Sequence, residues 1–370
     1  MIIGCPKEIK THEYRVGITP SNVIDYVSNG HTVLIESGAG LGSSFSDEEY
    51  INSGAKIMDT ADEIWANSSM IIKVKEPLEE EYSKMRKGQI IYTYLHLAAS
   101  KELTEALLSA GVKSVAYETI TDYRGGLPLL TPMSEVAGRL SVLEGAKYLQ
   151  RVYKGRGVLL SGVPGTKKSK VVIIGGGIVG VNAAKMAIGF GADVTILDTN
   201  LDRLRYLDDI FGTSIQTIYS SAGAIKDEIQ NADLVIGAVL IPGASAPKLI
   251  KREYLKTMLP GSVIVDVAVD QGGCCETTKM TYHNNPIFII DDIVHYCVAN
   301  MPGSTPRTST IALTNATIRQ GLAIANLGLE EAAKQDKHII PGINTYMGKT
   351  TYKPVADEFG LEYTNVDALI

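Results

Sequence analysis

Short apolar runs alternate with longer amphipathic segments along nearly the whole chain. In the first half, Ile2–Cys5, Thr32–Glu36, Met70–Lys75, Gln89–Leu95 and Val112–Glu118 read as buried strands. Amphipathic patterns between them, such as Pro20–Ser28 and Lys101–Ala110, predict helices. The second half repeats the scheme with Val171–Ile174, Val194–Asp198, Ser214–Tyr219, Leu234–Val239, Ser262–Val269 and Ile287–Asp291. Strands alternating with helices predict an α/β protein with doubly wound parallel sheets. Two such blocks in 370 residues predict two domains. Two longer helical patterns, Met133–Tyr153 and Thr308–Gly328, stand at the seams, each after a proline-containing stretch. They are expected to pass between the domains, so that a domain of residues 131–306 is inserted in another made of 1–130 and 307–370.

Composition narrows the function classes. Apolar residues make up 45% and charged residues 21%, as in soluble globular proteins. The net charge of −6, with both signs interspersed, argues against a nucleic-acid partner. Cys5, Cys274, Cys275 and Cys297 have neither CxxC spacing nor a zinc-type histidine pattern, which fits a reducing compartment. The N-terminus lacks a basic-then-apolar signal pattern, and no run reaches the ~18 apolar residues of a membrane span. A cytoplasmic protein without a membrane partner is expected.

The stretch "VVIIGGGIVGVNAAKMAIGFGADVTILD" carries the most specific motif. Gly175, Gly177 and Gly180 form G-x-G-x-x-G between an apolar strand and a small-residue helix, and a second strand ends at Asp198. The first glycine permits the tight turn and the second lets the backbone approach a pyrophosphate. The third lets helix and strand pack closely, with the helix N-terminus facing the phosphates. Asp198 can accept hydrogen bonds from ribose hydroxyls and would repel a 2′-phosphate, which favours NAD over NADP. Arg203 is close enough in sequence to weaken that preference.

Ligands of open parallel sheets sit beyond the carboxyl ends of the strands. Polar residues stand at those places. Lys73 and Lys75 lie two apart in "MIIKVKEP", His96 ends "IIYTYLH", and Asp266 and Asp270 punctuate "SVIVDVAVDQGG". Arg15 precedes a helix start in "EYRVGITP". A lone histidine in an apolar run is more often a core residue, and single charges often just face solvent. Gathered at one cleft, the set has a chemistry: Arg and Lys suit a substrate carboxylate, and His transfers a proton near neutral pH. With NAD this describes hydride transfer at a carbon next to a carboxylate. The residues alone leave hydroxy acid and amino acid both open.

The stretches "GCPKEIKTHEYRVGITP", "KVKEP", "YLHLAAS", "TPMSEVAGRLS", "GVPGTKKSKVVIIGGGIVG", "VDVAVDQGGC" and "YCVANMPGSTPRTST" together resemble the alanine dehydrogenase family, which includes the NAD-binding part of transhydrogenase, over nearly the whole length. The resemblance implies reversible NAD-dependent conversion of L-alanine to pyruvate and ammonia by a homohexamer. It implies that Arg15 and Lys75 hold the substrate, with His96 as acid/base and Asp270 as its catalytic partner. For the cofactor it implies Ser134, Ile178, Val179, Asp198, Arg203, Ser220, Val239 and Leu240, together with the segments Val267, Ala268, Val269, Asp270 and Val298, Ala299, Asn300, Met301. Lys279 stands where the family often has Arg. Some members bind a metal through Glu and His on the second seam helix. Here "GLAIANLGLEEA" has no His, so no metal is expected there. A non-catalytic transhydrogenase-type NAD(H) module and a related amino-acid dehydrogenase with a larger pocket are the alternatives.

Overall fold

A computed structural model describes residues 1–239 and 246–370. They gather into two compact units, one of residues 1–133 and 303–370, the other of residues 134–302.

In the first unit the strands are β1 (Ile2–Cys5), β2 (Thr32–Glu36), β3 (Lys56–Met58), β4 (Met70–Ile72), β5 (Ile90–Thr93) and β6 (Lys113–Ala116). In the second they are β7 (Lys170–Ile174), β8 (Asp193–Asp198), β9 (Gln216–Tyr219), β10 (Leu234–Gly237), β11 (Val263–Asp266), β12 (Ile287–Ile290) and β13 (Ile293–Tyr296). The chain then returns to the first unit for β14 (Ile343–Tyr346) and β15 (Lys349–Thr350).

The first sheet runs β15-β14-β6-β5-β4-β1-β2-β3, the second β12-β13-β11-β10-β7-β8-β9. Pairing is parallel except at one edge of each. There β14 and β15 run antiparallel beside β6, and β12 runs antiparallel to β13. Both antiparallel edges close through two-residue loops with two positive φ values, Asp291-Asp292 and Met347-Gly348. Such loops match the twist of the flanking strands.

Each sheet carries apolar side chains on faces that helices cover. In the first unit Ile71, Ile91, Trp65, Leu103 and Leu107 share one core. In the second, Val172, Val235, Ile264, Ile225 and Leu255 share another. The strands are shorter than the apolar runs. β4 stops at Ile72, β5 at Thr93 and β11 at Asp266; beyond the first two, the backbone bonds from Lys73 N–H to Tyr92 O and from Tyr94 N–H to Val74 O still join the segments. The first long helix spans Thr131–Tyr148 and the second Pro306–Leu327. Among the described residues, no helix is long and apolar enough to cross a membrane.

Candidate active site

In the first unit β6, β5, β4 and β1 are sheet neighbours, so the residues after their carboxyl ends are neighbours too. Lys73 and Lys75, which the sequence pattern puts on one face of a strand, lie past the end of β4 and have separate roles. Lys73 is fully buried, with its Nζ 3.1 Å from Glu8 Oε2 and 3.0 Å from Glu81 Oε1. Burial opposes its charge, but the two carboxylates hold its pKa above the usual lysine value. Burial pushes the Glu8 carboxyl up, partly offset by Lys73. Glu8 Oε1 also accepts the N–H groups of Val74 at 2.6 Å and Lys75 at 3.2 Å, which fixes the backbone that carries Lys75.

Lys75 itself is half-buried. Among the described residues its ammonium has neither a hydrogen bond nor an ion pair. Burial and the neighbouring Arg15 charge pull its pKa below the usual lysine value. Arg15 is buried and forked onto Glu13, with Nε and Nη2 each donating to a carboxylate oxygen at 2.6 Å. Burial alone would weaken its charge, and Glu13 reverses that, leaving the guanidinium pKa raised. A guanidinium near an ammonium is a pair of groups suited to a small carboxylate, but here Arg15 Nε and Nη2 are given to Glu13 and Nη1 lies 3.0 Å from Met133 Sδ.

His96 follows β5. Its side chain is 49% exposed, which rules out the core-histidine reading. Its backbone is left-handed, φ 48° and ψ 42°, a conformation that strains an L residue with a Cβ. The ring stacks on Tyr94 at 5.9 Å between centroids, and the Tyr94 hydroxyl donates to Leu129 O at 2.6 Å. Glu118, after β6, receives the His96 backbone N–H. The sequence patterns single out none of Glu8, Glu13 or Glu118. Their signal is only that acids stand near strand ends, as many surface acids do.

In the second unit the glycine loop follows β7. A Cβ on Gly180 would lie 1.9 Å from Gly175 O, and one on Gly175, at φ +105°, 2.6 Å from Ala238 O. One on Gly177 would meet nothing within 4 Å, so the loop is tight behind and open in front. The helix Ile178–Gly189 starts there with no side-chain cap at Gly177, leaving its first N–H groups for a ligand. Asp198 Oδ2 accepts the Gly176 N–H at 2.7 Å, and Arg203 Nε donates to Gly176 O. Each Asp198 oxygen keeps a lone pair for ribose hydroxyls, since Oδ1 takes only the Asn200 N–H at 2.8 Å. These features fit a dinucleotide.

The other cofactor candidates extend this edge. Ser220 follows β9 and Val239 follows β10, while Val267–Asp270 follow β11 and Val298–Met301 follow β13. Ser134 lies one turn before Gly138 on the first long helix, where a Cβ would come within 2.3 Å of Val179 O. Lys279 is exposed on the segment beyond Thr278. Leu240 lies outside the described residues.

The two acids of "VDVAVDQ" differ sharply. Asp266 is buried and accepts from Ala268 N, Cys274 N, Cys275 N and Thr278 Oγ1. It therefore shapes the loop after β11 and is not available to a substrate. Asp270 is exposed on the 3₁₀ turn Val267–Gln271. Among the described residues its carboxylate has no hydrogen bond or ion pair.

A parallel sheet whose first turn is a glycine loop, with an acid at the end of the next strand, defines a dinucleotide-binding α/β protein. The second unit is of that class. The chain belongs to the alanine dehydrogenase/PNT family: the N-terminal domain of that family matches residues 4–137 and the C-terminal domain residues 141–353. It is 55% identical over 364 residues to an alanine dehydrogenase of Bacillus subtilis, covering 98% of this chain and 96% of that one. It is 51% identical over 370 residues to an alanine dehydrogenase of Halomonas elongata, covering the whole of both. A solved structure of L-alanine dehydrogenase superposes with a TM-score of 0.95 at 49% identity, over 97% of this chain and 99% of that one.

Proposed function

We propose that this chain is an NAD-dependent L-alanine dehydrogenase that interconverts L-alanine and water with pyruvate and ammonia. The observation that carries the reading is the carboxyl edge of the first sheet, where Lys75 and His96 follow β4 and β5 and Arg15 lies in the loop between β1 and the helix Pro20–Ser28, in a chain similar throughout to alanine dehydrogenases. In this reading residues 1–130 and 307–370 form the substrate domain and 131–306 the cofactor domain.

NAD, when bound, accepts the hydride from the α-carbon. Arg15 and Lys75 hold the substrate carboxylate and, in the reverse direction, the carbonyl oxygen. Glu13 keeps the Arg15 fork oriented and Glu8 keeps the Lys75 backbone in place. His96, exposed at its strand end, takes a proton from the water that adds at the α-carbon, returns it to the amine nitrogen so that ammonia leaves, and then takes the hydroxyl proton as the carbonyl forms. In amination it returns the proton, so the imidazolium is the active form in that direction. Asp270 is the second catalytic group. Gly175, Gly177 and Gly180 admit the pyrophosphate, with Ile178 and Val179 at the helix start. Asp198 takes the adenosine ribose, next to Arg203 and Ser220. Ser134, Val239, Leu240, Val267–Asp270, Lys279 and Val298–Met301 complete the cofactor contacts.

The reading extends to a cytoplasmic homohexamer acting in amino-acid catabolism. Four unbridged, buried cysteines support a reducing compartment, and light scattering of the purified protein tests the assembly. The deciding experiment is NADH formation with a panel of L-amino acids and 2-hydroxy acids. L-Alanine should be preferred to bulkier amino acids and to L-lactate; equal or faster turnover of lactate overturns the reading.

A further inference from the structure

Strands β5 and β6 pair in parallel with Thr93 opposite Ala116, so the segments that follow them run side by side. Glu118 lies on the second segment and reaches the first. Its Oε1 accepts the His96 backbone N–H at 2.6 Å and the Leu95 N–H at 3.1 Å, and Oε2 accepts the Leu95 N–H again at 3.3 Å. The same Oε1 is 4.0 Å from His96 Nδ1, and the Glu118 side chain is only 12% exposed. No Lys or Arg among the described residues forms an ion pair with it.

The backbone that this carboxylate grips is the left-handed turn at His96. An L residue stays in that region only when its surroundings impose it. Two backbone N–H groups converging on one charged oxygen are such an imposition, because charge-assisted bonds are roughly twice as strong as neutral ones. The Tyr94 ring lies against the imidazole and is held by its own bond to Leu129 O. The anchor below the ring is therefore rigid while the ring itself stays open to solvent.

We propose that Glu118 is a positioning residue for proton transfer: it holds the Leu95–His96 backbone in the turn that presents the imidazole, and acts through His96 without touching substrate. This rests on the reading of His96 as the proton-transfer group.

The test is a double-mutant cycle on the full-length protein, with NADH binding read by fluorescence and alanine oxidation by NADH absorbance. Misplacing a reacting group by about 1 Å can lower the rate by about 10². Glu118→Ala should therefore lower kcat about 10–100-fold, with KM for L-alanine and NADH affinity changed less than about threefold. Glu118→Gln keeps an acceptor oxygen and should recover most of the rate; if the alanine variant does not fold, Glu118→Asp, whose shorter side chain withdraws the carboxylate from the Leu95 and His96 N–H groups, takes its place with a loss expected in the same direction. In a His96→Ala background the same substitutions should change the residual rate by less than about twofold, since residues that act as one unit are not additive. Equal losses in both backgrounds, or no loss in either, overturn the proposal. Absence of alanine oxidation by the unmutated protein would instead overturn the parent reading.

Discussion

At the level of single residues, the proposed roles of His96 and Asp198 lead to the most direct tests. His96→Ala should lower alanine oxidation by about 10²–10⁴, the usual contribution of general acid–base catalysis. NADH affinity should hold, because the glycine loop belongs to the other unit. A folded variant that binds NADH and turns over at the unmutated rate would return His96 to an ordinary surface histidine. Asp198 has two duties, since it also ties down the Gly176 N–H. Asp198→Ala should weaken NAD binding by about 1.5–3 kcal/mol, the worth of a charged hydrogen bond, and raise the relative use of NADP as repulsion of the 2′-phosphate disappears. An unchanged NAD/NADP ratio would show that Asp198 serves the loop alone.

At the scale of elements, the glycine loop makes the most rigid demand. At Gly180 the obstacle to a Cβ is a backbone carbonyl, which cannot rotate away as a side chain would. Gly180→Ala should cost about 1–3 kcal/mol, as overpacking does, and weaken NADH binding in parallel. A melting curve with a cofactor titration reads both, and normal binding at normal stability would mean the loop adapts. The same loop was legible in the sequence, because glycine spacing and the acid after the next strand are local signals. Most of the parallel strands were legible from their apolar runs, though not β3 or β13, and their ends were not: Val74, Tyr94 and Leu95 continue the apolar spelling, while Glu8 takes the Val74 N–H and Glu118 the Leu95 N–H. The hairpin edges were missed for a related reason. Asp291-Asp292 and Met347-Gly348 adopt turns for which Asn-Gly or Asp-Gly is the usual spelling. Of the site, the cations and His96 could be read off strand ends. Of the carboxylates that orient them, Glu8 and Glu118 could not, because Lys75 and His96 are remote from them in sequence; Glu13 is only two residues from Arg15, but no local pattern sets it apart from a surface acid.

For the whole molecule, the four thiols set a prediction about alkali. Burial pushes Cys5 up to about 12. Burial likewise raises Cys274, Cys275 and Cys297. A folded-state pKa above the unfolded value of ~8.5 gives stability that is full below that pH and lost as pH rises, because only the unfolded chain can ionise its thiols. Each should contribute a slope of about 1.4 kcal/mol per pH unit. Between about pH 9 and 10, before the buried tyrosines join, Cys297→Ala should flatten the decline by roughly that amount. Denaturant midpoints across the range check it; parallel curves would contradict it.

The order of the first sheet has a consequence for how the chain is made. β6 pairs on its outer side with β14, and roughly two hundred residues, including the whole inserted unit, separate the two in sequence. At ~5–20 residues per second on the ribosome, β6 waits roughly 10–45 s with a row of backbone N–H and C=O groups unpaired. For that interval the nascent sheet carries an open edge, the template for wrong pairing between chains on one polysome. Deleting residues 336–370 would make the interval permanent, and that truncated chain should collect in aggregates while the intact one stays dispersed.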